Sequence, residues 1–190
     1  MTIRPQRLAR ALTNVLNPFV IFTALYTLVA LAEAGAYKGI FYLAVELTAA
    51  AAVAGYVLIM RRRSRVRDFW ISTCAERLTP ALVLLAAFVA LLAALVLFDA
   101  PQGLTMLTLS MGLATAAVAL ITLFWKASAH CTVAGYAAAA GLLLLGPPGL
   151  VFLLILPLVL WSRVAPGAHT LQQALAGAAV GAGFAVLFLA

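Results

Sequence analysis

Ala81–Phe98 reads ALVLLAAFVALLAALVLF, eighteen residues without a charge or a polar side chain. A helix needs about 20 predominantly apolar residues to cross the hydrocarbon core of a bilayer, and starting the run at Thr79 supplies them. Asp99, Pro101 and Gln102 then end it. This stretch reads as a membrane span, and the chain on either side repeats the pattern. Upstream lies the longest hydrophilic segment, with Arg61, Arg62, Arg63, Arg65, Arg67, Asp68, Glu76, Arg77 and Pro80. Before it come the apolar run Gly39–Met60, interrupted by Glu46, the polar break Glu33–Lys38, and the run Leu12–Ala32, opened by Asn14 and Asn17-Pro18. Downstream, Gly103–Trp125 ends at Lys126, and an alanine-rich run follows His130 as far as Leu145. Gly146-Pro147-Pro148-Gly149 is a strong breaker. Leu150–Trp161 is short and contains Pro157; a polar break through Ser162, Arg163, Pro166, Gly167 and His169 precedes the last run, Leu171–Ala190. The count is seven crossings if every run spans, or six if Leu150–Trp161 is re-entrant.

The composition agrees. Of 190 residues, 66% are hydrophobic and 9% charged, whereas a soluble domain has roughly a quarter of its residues charged. An ordinary soluble enzyme and a disordered chain are both excluded. The expected fold is a single all-α transmembrane domain over residues 1–190, a bundle of six or seven helices. The net charge of +7 does not point to nucleic acid, because the basic residues flank spans instead of coating a soluble face. Arg4, Arg7 and Arg10 precede an apolar run in the manner of a signal peptide, but no small-residue cleavage site follows, so a retained first helix is expected. Cys74 and Cys131 form neither a disulfide framework nor a metal-ligand spacing. Gly177-Ala-Ala-Val-Gly181 offers a small-residue face for close helix approach. Packing inside the bundle is its first reading, and an oligomer contact the second.

Polar residues beside or inside spans are costly and therefore mark candidate sites. Here they are few. The chain has two histidines, His130 and His169, each opening a hydrophobic segment shortly after a basic residue, Lys126 and Arg163 respectively. Arg77 precedes the Ala81–Phe98 span. Two crossings separate Arg77 from His130, and two more separate His130 from His169, so all three clusters return to one membrane face. Arg77, Arg163 and Lys126 supply positive charge, and arginine can clamp phosphate oxygens with two parallel hydrogen bonds. Ser128 offers a hydroxyl, and the helix start after it offers backbone N–H groups. Two histidines can divide attack on phosphorus from protonation of a leaving oxygen, within a cationic cage that stabilises the transferring group. The sequence has no carboxylate cluster, metal-ligand set or glycine-rich nucleotide loop, which points away from metal-dependent phosphoryl transfer.

The order of these residues also matches a known pattern. Ala127-Ser128-Ala129-His130 keeps the serine and histidine of a Pro-Ser-Gly-His motif. Ser162-Arg163, five residues and then His169 keep a second motif, with Gln173 where an aspartate is usual. Glu76-Arg77 fits the arginine of a third, with Trp70 at its lysine position and Pro80 displaced by two residues. From about Asn14 to Gly181 the chain thus resembles the type 2 phosphatidic acid phosphatases, the PAP2 family of membrane phosphatases, and looks like their divergent bacterial and archaeal members. The resemblance implies a metal-independent phosphatase without a cofactor, in a prokaryotic plasma membrane. His169 would be the nucleophile that forms a phosphohistidine, and His130 the general acid for the leaving alcohol. Arg77, Ser128 and Arg163 would hold the phosphate, with Lys126 or Arg67 filling in for the missing lysine. The implied substrates are phosphatidic acid, phosphatidylglycerol phosphate, and polyprenyl phosphates or diphosphates. Gln173 can accept the Nδ1 proton of His169 as aspartate would, but without the charge.

Two other classes compete: a catalytically weak lipid-phosphate binding protein of the same fold, and a small transporter. A transporter should hold polar groups near mid-membrane, and only Glu46 does so among the residues singled out above. Orientation follows from the arginines. Seven crossings place the N-terminal tail, the Arg61–Arg67 cluster and the candidate site on one face, and basic flanks favour the cytoplasm. The family's usual members have six spans and an extracytoplasmic site, so the expectation here is the opposite one, a cytoplasm-facing site.

Overall fold

The computed structural model describes residues 3–63 and 78–190. Among them are seven α-helices, one short 3-10 turn and no strand. The first difference from the sequence reading lies at the start, where Leu12–Ala32 is not one helix. Helix α1 (Ile3–Val15) ends, and α2 (Pro18–Arg62) begins afresh behind Asn17. Asn17 is extended (φ −79, ψ 160), and its side-chain oxygen accepts from the Val20 N–H at 3.1 Å. Pro18 occupies the first turn, where a missing N–H loses no helical bond. Helix α1 instead packs on α6 (Leu150–Val164), with the Thr13 hydroxyl donating to the Ser162 carbonyl at 3.3 Å.

Helix α2 has 45 residues, twice what a crossing needs, and it is two antiparallel arms. Gly35, inside the polar break, stands at φ 72 and ψ 177, a conformation open to glycine and strained for other residues. Two contacts placed symmetrically about that break show the reversal. Gly39 lies against the Ala30 carbonyl, and the Thr23 hydroxyl donates to Glu46 Oε1 at 2.9 Å. The arms are 18–34 and 36–62.

Helices α3 (Leu78–Leu97), α4 (Gln102–Phe124), α5 (Ala129–Leu145), α6 and α7 (Leu171–Leu189) follow. Among the described residues, five helices are long and apolar enough to cross a membrane, counting α2 once and joining α6 to the turn before it. Helix α5 is shorter, at 17 residues, and is buried along most of its length. The doubtful run Leu150–Trp161 is lengthened by the 3-10 turn Pro147–Gly149 before it and by Ser162–Val164 after it. At one end of this crossing Gly149 abuts Gly141 of α5; at the other Arg163 reaches the candidate site. Seven apolar arms therefore run between the two ends of the bundle.

One end gathers the turn at Gly35, residues 98–101, the Gly146–Gly149 break and Ala190. There the Tyr42 hydroxyl donates to the Phe98 carbonyl at 2.9 Å, and Glu33 Oε2 accepts from the Leu104 N–H at 3.2 Å, capping α4. The other end gathers Pro18, Val57, Pro80, Leu123, Ala129 and Arg163 around a cavity. Among the described residues, Arg61, Arg62, Arg63, Lys126 and Arg163 lie at that second end, and Lys38 lies by the turn at Gly35.

Helices α5 and α7 form the most extensive pair. A Cβ at Gly177 would stand 2.6 Å from the Ser128 carbonyl oxygen, and one at Gly181 would overlap the Thr132 carbonyl. The Gly177–Gly181 face is therefore filled by α5 inside the bundle. Packing inside the bundle, the first reading of that face, is what the two glycines do. Between these helices and α4, the Ser110 and Tyr136 hydroxyls lie 2.6 Å apart, and Tyr136 donates to the Leu107 carbonyl at 2.8 Å. These two buried hydroxyls are thus paired within the core.

Candidate functional site

The segment after α6 folds back on the helix that precedes it. The Ala165 N–H donates to the Trp161 carbonyl and the Gly167 N–H to Val164, both at 2.9 Å. Gly167 takes the left-handed conformation (φ 73), which turns the chain. The His169 N–H then donates to the Arg163 carbonyl at 3.1 Å. Six residues of separation thus close into a loop that returns His169 beside Arg163. Thr170 ends the loop as the N-cap of α7.

A second segment is stitched to the first. Ser128 N-caps α5, its hydroxyl oxygen accepting from the Cys131 N–H at 3.4 Å. Its own N–H donates to the Gln173 carbonyl at 3.3 Å, and Lys126 Nζ donates to the Ala168 carbonyl at 3.1 Å. His130, the second residue of α5, is carried by this junction. Both histidines are nearly covered, His130 at 6% exposure and His169 at 7%.

His130, His169 and Arg163 line one cavity of about 450 Å³, within the range that encloses a single small ligand. The same wall includes Ala129, so the N-terminus of α5, the positive end of its dipole, borders the space. Most of the remaining lining is apolar and comes from the arms of α2 and from α3 and α4, including Phe22, Val53, Leu84, Phe88 and Met111. Thr115, Thr122 and Thr132 contribute smaller polar residues. The cavity therefore has a cationic and imidazole-bearing part at the helix ends and an apolar part along the spans.

Of the residues expected to handle the phosphate, these three meet in the wall and three others stand behind it. Ser128 is fully buried and lies outside the lining; its hydroxyl serves the helix cap. Lys126 holds the His169 loop through Ala168. Gln173 closes a capping box, its Oε1 accepting from the Thr170 N–H at 3.1 Å while Thr170 Oγ1 accepts from the Gln173 N–H at 3.3 Å. The oxygen expected to serve His169 accepts from the helix cap. Arg77 lies outside the described residues, as do Arg67, Asp68, Trp70 and Glu76; Pro80, three residues after Arg77, is in the cavity wall.

Glu46 is the carboxyl group of that wall, 4% exposed and bonded to Thr23. The sequence shows it as an acid inside an apolar run, but its partner depends on the reversal at Gly35. Among the described residues, no three His, Cys, Asp or Glu side chains gather as a metal-ligand set. Comparison with protein-family models, curated proteins and solved structures found no match. What the fold establishes is an integral membrane helix bundle with one end rich in basic residues.

Proposed function

We propose that this chain is a lipid-phosphate phosphatase of the PAP2 type, hydrolysing a lipid phosphate monoester or diphosphate through a phosphohistidine. The observation that carries the reading is the meeting of His130, His169 and Arg163 in the wall of one otherwise apolar cavity. A lipid phosphate has the same two-part character: an anionic head for the imidazoles and guanidinium, and a tail for the apolar wall. Arg163 and the N-terminus of α5 hold the non-bridging oxygens. A neutral His169 nitrogen attacks phosphorus, and the bond from phosphorus to the lipid oxygen breaks. His130, protonated, gives its proton to the leaving oxygen. The neutral His130 then takes a proton from water, whose oxygen attacks the phosphohistidine. The phosphorus–nitrogen bond breaks, phosphate leaves, and both histidines return to their starting states.

The basic end of the bundle supports a cytoplasm-facing site, with substrate drawn from the inner leaflet. A second reading, a binding protein with little turnover, is favoured by one observation: position 173 carries an uncharged glutamine, whose oxygen also accepts from the Thr170 N–H. Phosphate release from purified protein, measured across lipid phosphates and diphosphates with and without chelator, separates the two. The phosphatase reading expects chelator-insensitive release that vanishes in His169→Ala. Binding without release supports the second, and release unchanged in His169→Ala excludes the proposed nucleophile.

A further inference from the structure

Glu46 makes a connection that the phosphate chemistry does not use. It is 4% exposed, within a membrane-spanning arm, and lines the same cavity as the two histidines and Arg163. Its Oε1 accepts from the Thr23 hydroxyl at 2.9 Å; its Oε2 is buried and has no hydrogen-bond partner among the described residues. The fully buried Tyr26, one turn beyond Thr23, likewise has a hydroxyl with no partner among the described residues. An acid placed only to hold two arms together would need one oxygen, and a glutamine would supply it. Leaving the other oxygen unpaired in an apolar wall forfeits its hydration without return. An ionisable group inside a span that borders a cavity is a candidate for function by default. Its depth is also defined. Thr23 lies five residues into the arm that opens at Pro18, about 7–8 Å along the helix axis, and Pro18 is itself in the cavity wall.

We propose that Glu46 is a specificity-determining residue that accepts a hydrogen bond from a hydroxyl or amino group carried by the ligand on the tail side of its phosphate. The inference rests on the lipid-phosphate reading of the histidine end of the cavity. It selects a substrate class: lipid phosphates with a donor a few bonds from the phosphate ester. A lysophosphatidate, with its free glycerol hydroxyl, and a sphingoid-base phosphate, with an amine and a hydroxyl, both qualify. Diacyl phosphatidic acid and polyprenyl phosphates offer no donor at that depth. A site built around a buried acceptor discriminates against the ligand that lacks the donor, because the acceptor is then left unpaired.

The test uses the full chain in detergent and three non-hydrolysable lipid phosphonates of equal chain length, one with a hydroxyl beside the headgroup, one with an amine there, and one with the hydroxyl methylated. Affinity is read from concentration-dependent thermal shifts, and phosphate release from the matching phosphates is measured in parallel. Wild type should bind one or both donor-bearing lipids about tenfold to 100-fold more tightly than the methylated one, the range expected when a buried acceptor would otherwise be left unpaired. The hydroxyl and amine arms identify which donor is read. Glu46→Leu should bring the ratio close to one while retaining affinity for the methylated lipid, and Glu46→Gln should keep part of it. Equal binding of all three lipids by wild type, or an undiminished preference in Glu46→Leu, overturns the proposal. Should Glu46→Leu fail to fold, the wild-type comparison and Glu46→Gln still decide. A binding preference without phosphate release from any lipid would remove the phosphatase reading and leave this one standing; release without preference would do the reverse.

Discussion

His169 reaches the cavity because Gly167 turns the chain and the His169 N–H closes onto the Arg163 carbonyl, so the imidazole and the guanidinium are placed by one loop. Gln173 secures the far side of that loop through its capping box with Thr170. Gln173→Ala should therefore act on stability, lowering it by about 0.5–1 kcal/mol, seen as a lower melting temperature in detergent. Gln173→Glu keeps the box and should melt close to wild type; equal losses in both variants would show that the cap is not what the side chain contributes. His130, Arg163 and His169 were legible in the sequence because polar residues are scarce there and the crossing count returns them to one face. Ser128 was not separable by the same reasoning, since a serine that begins an apolar run is equally a helix cap, and the structure shows its oxygen accepting from Cys131. The Thr23–Glu46 pair was hidden for a different reason: residues 23 apart meet only if the helix reverses between them.

Among the elements, the pairing of α5 with α7 sets the position of His130 relative to the His169 loop. Backbone contact at Gly181 makes that pairing close, and a side chain there would meet the Thr132 carbonyl. Gly181→Leu should cost about 1–3 kcal/mol or more through overpacking, and both the melting temperature and the yield of folded protein should fall. Two residues on, a Cβ at Gly183 would have nothing within 4 Å. Gly183→Ala should leave stability unchanged or raise it by up to about 1 kcal/mol from helix propensity. Matching losses in the two variants would contradict the packing described. The spans themselves were readable from apolar length alone, and the Gly177–Gly181 spacing marked a close-packed face. The break at Asn17 was obscured because apolar residues continue on both sides of it. The crossing by α6 was obscured because part of its length comes from the turn Pro147–Gly149, which reads as a breaker in sequence.

For the whole molecule, seven arms and the distribution of arginines make orientation and function parts of one account. Arg63 lies at the basic end, and Gln102 starts α4 at the other. In a background lacking Cys74 and Cys131, Gln102→Cys should react with an impermeant thiol reagent on intact cells, and Arg63→Cys should react after lysis only. The reverse pattern would turn the site outward. The central claim, that His169 becomes covalently phosphorylated, has a direct test. Protein incubated with a lipid phosphate bearing radioactive phosphorus is quenched in alkali, where phosphohistidine survives, and the labelled peptide is mapped. The account predicts transient label on His169 in wild type and none in His169→Ala, with label accumulating when His130 is replaced and a good leaving group makes its first proton transfer unnecessary. Label of equal amount in His169→Ala, or phosphate release by wild type with no labelled His169 at any time under rapid quench, would contradict it.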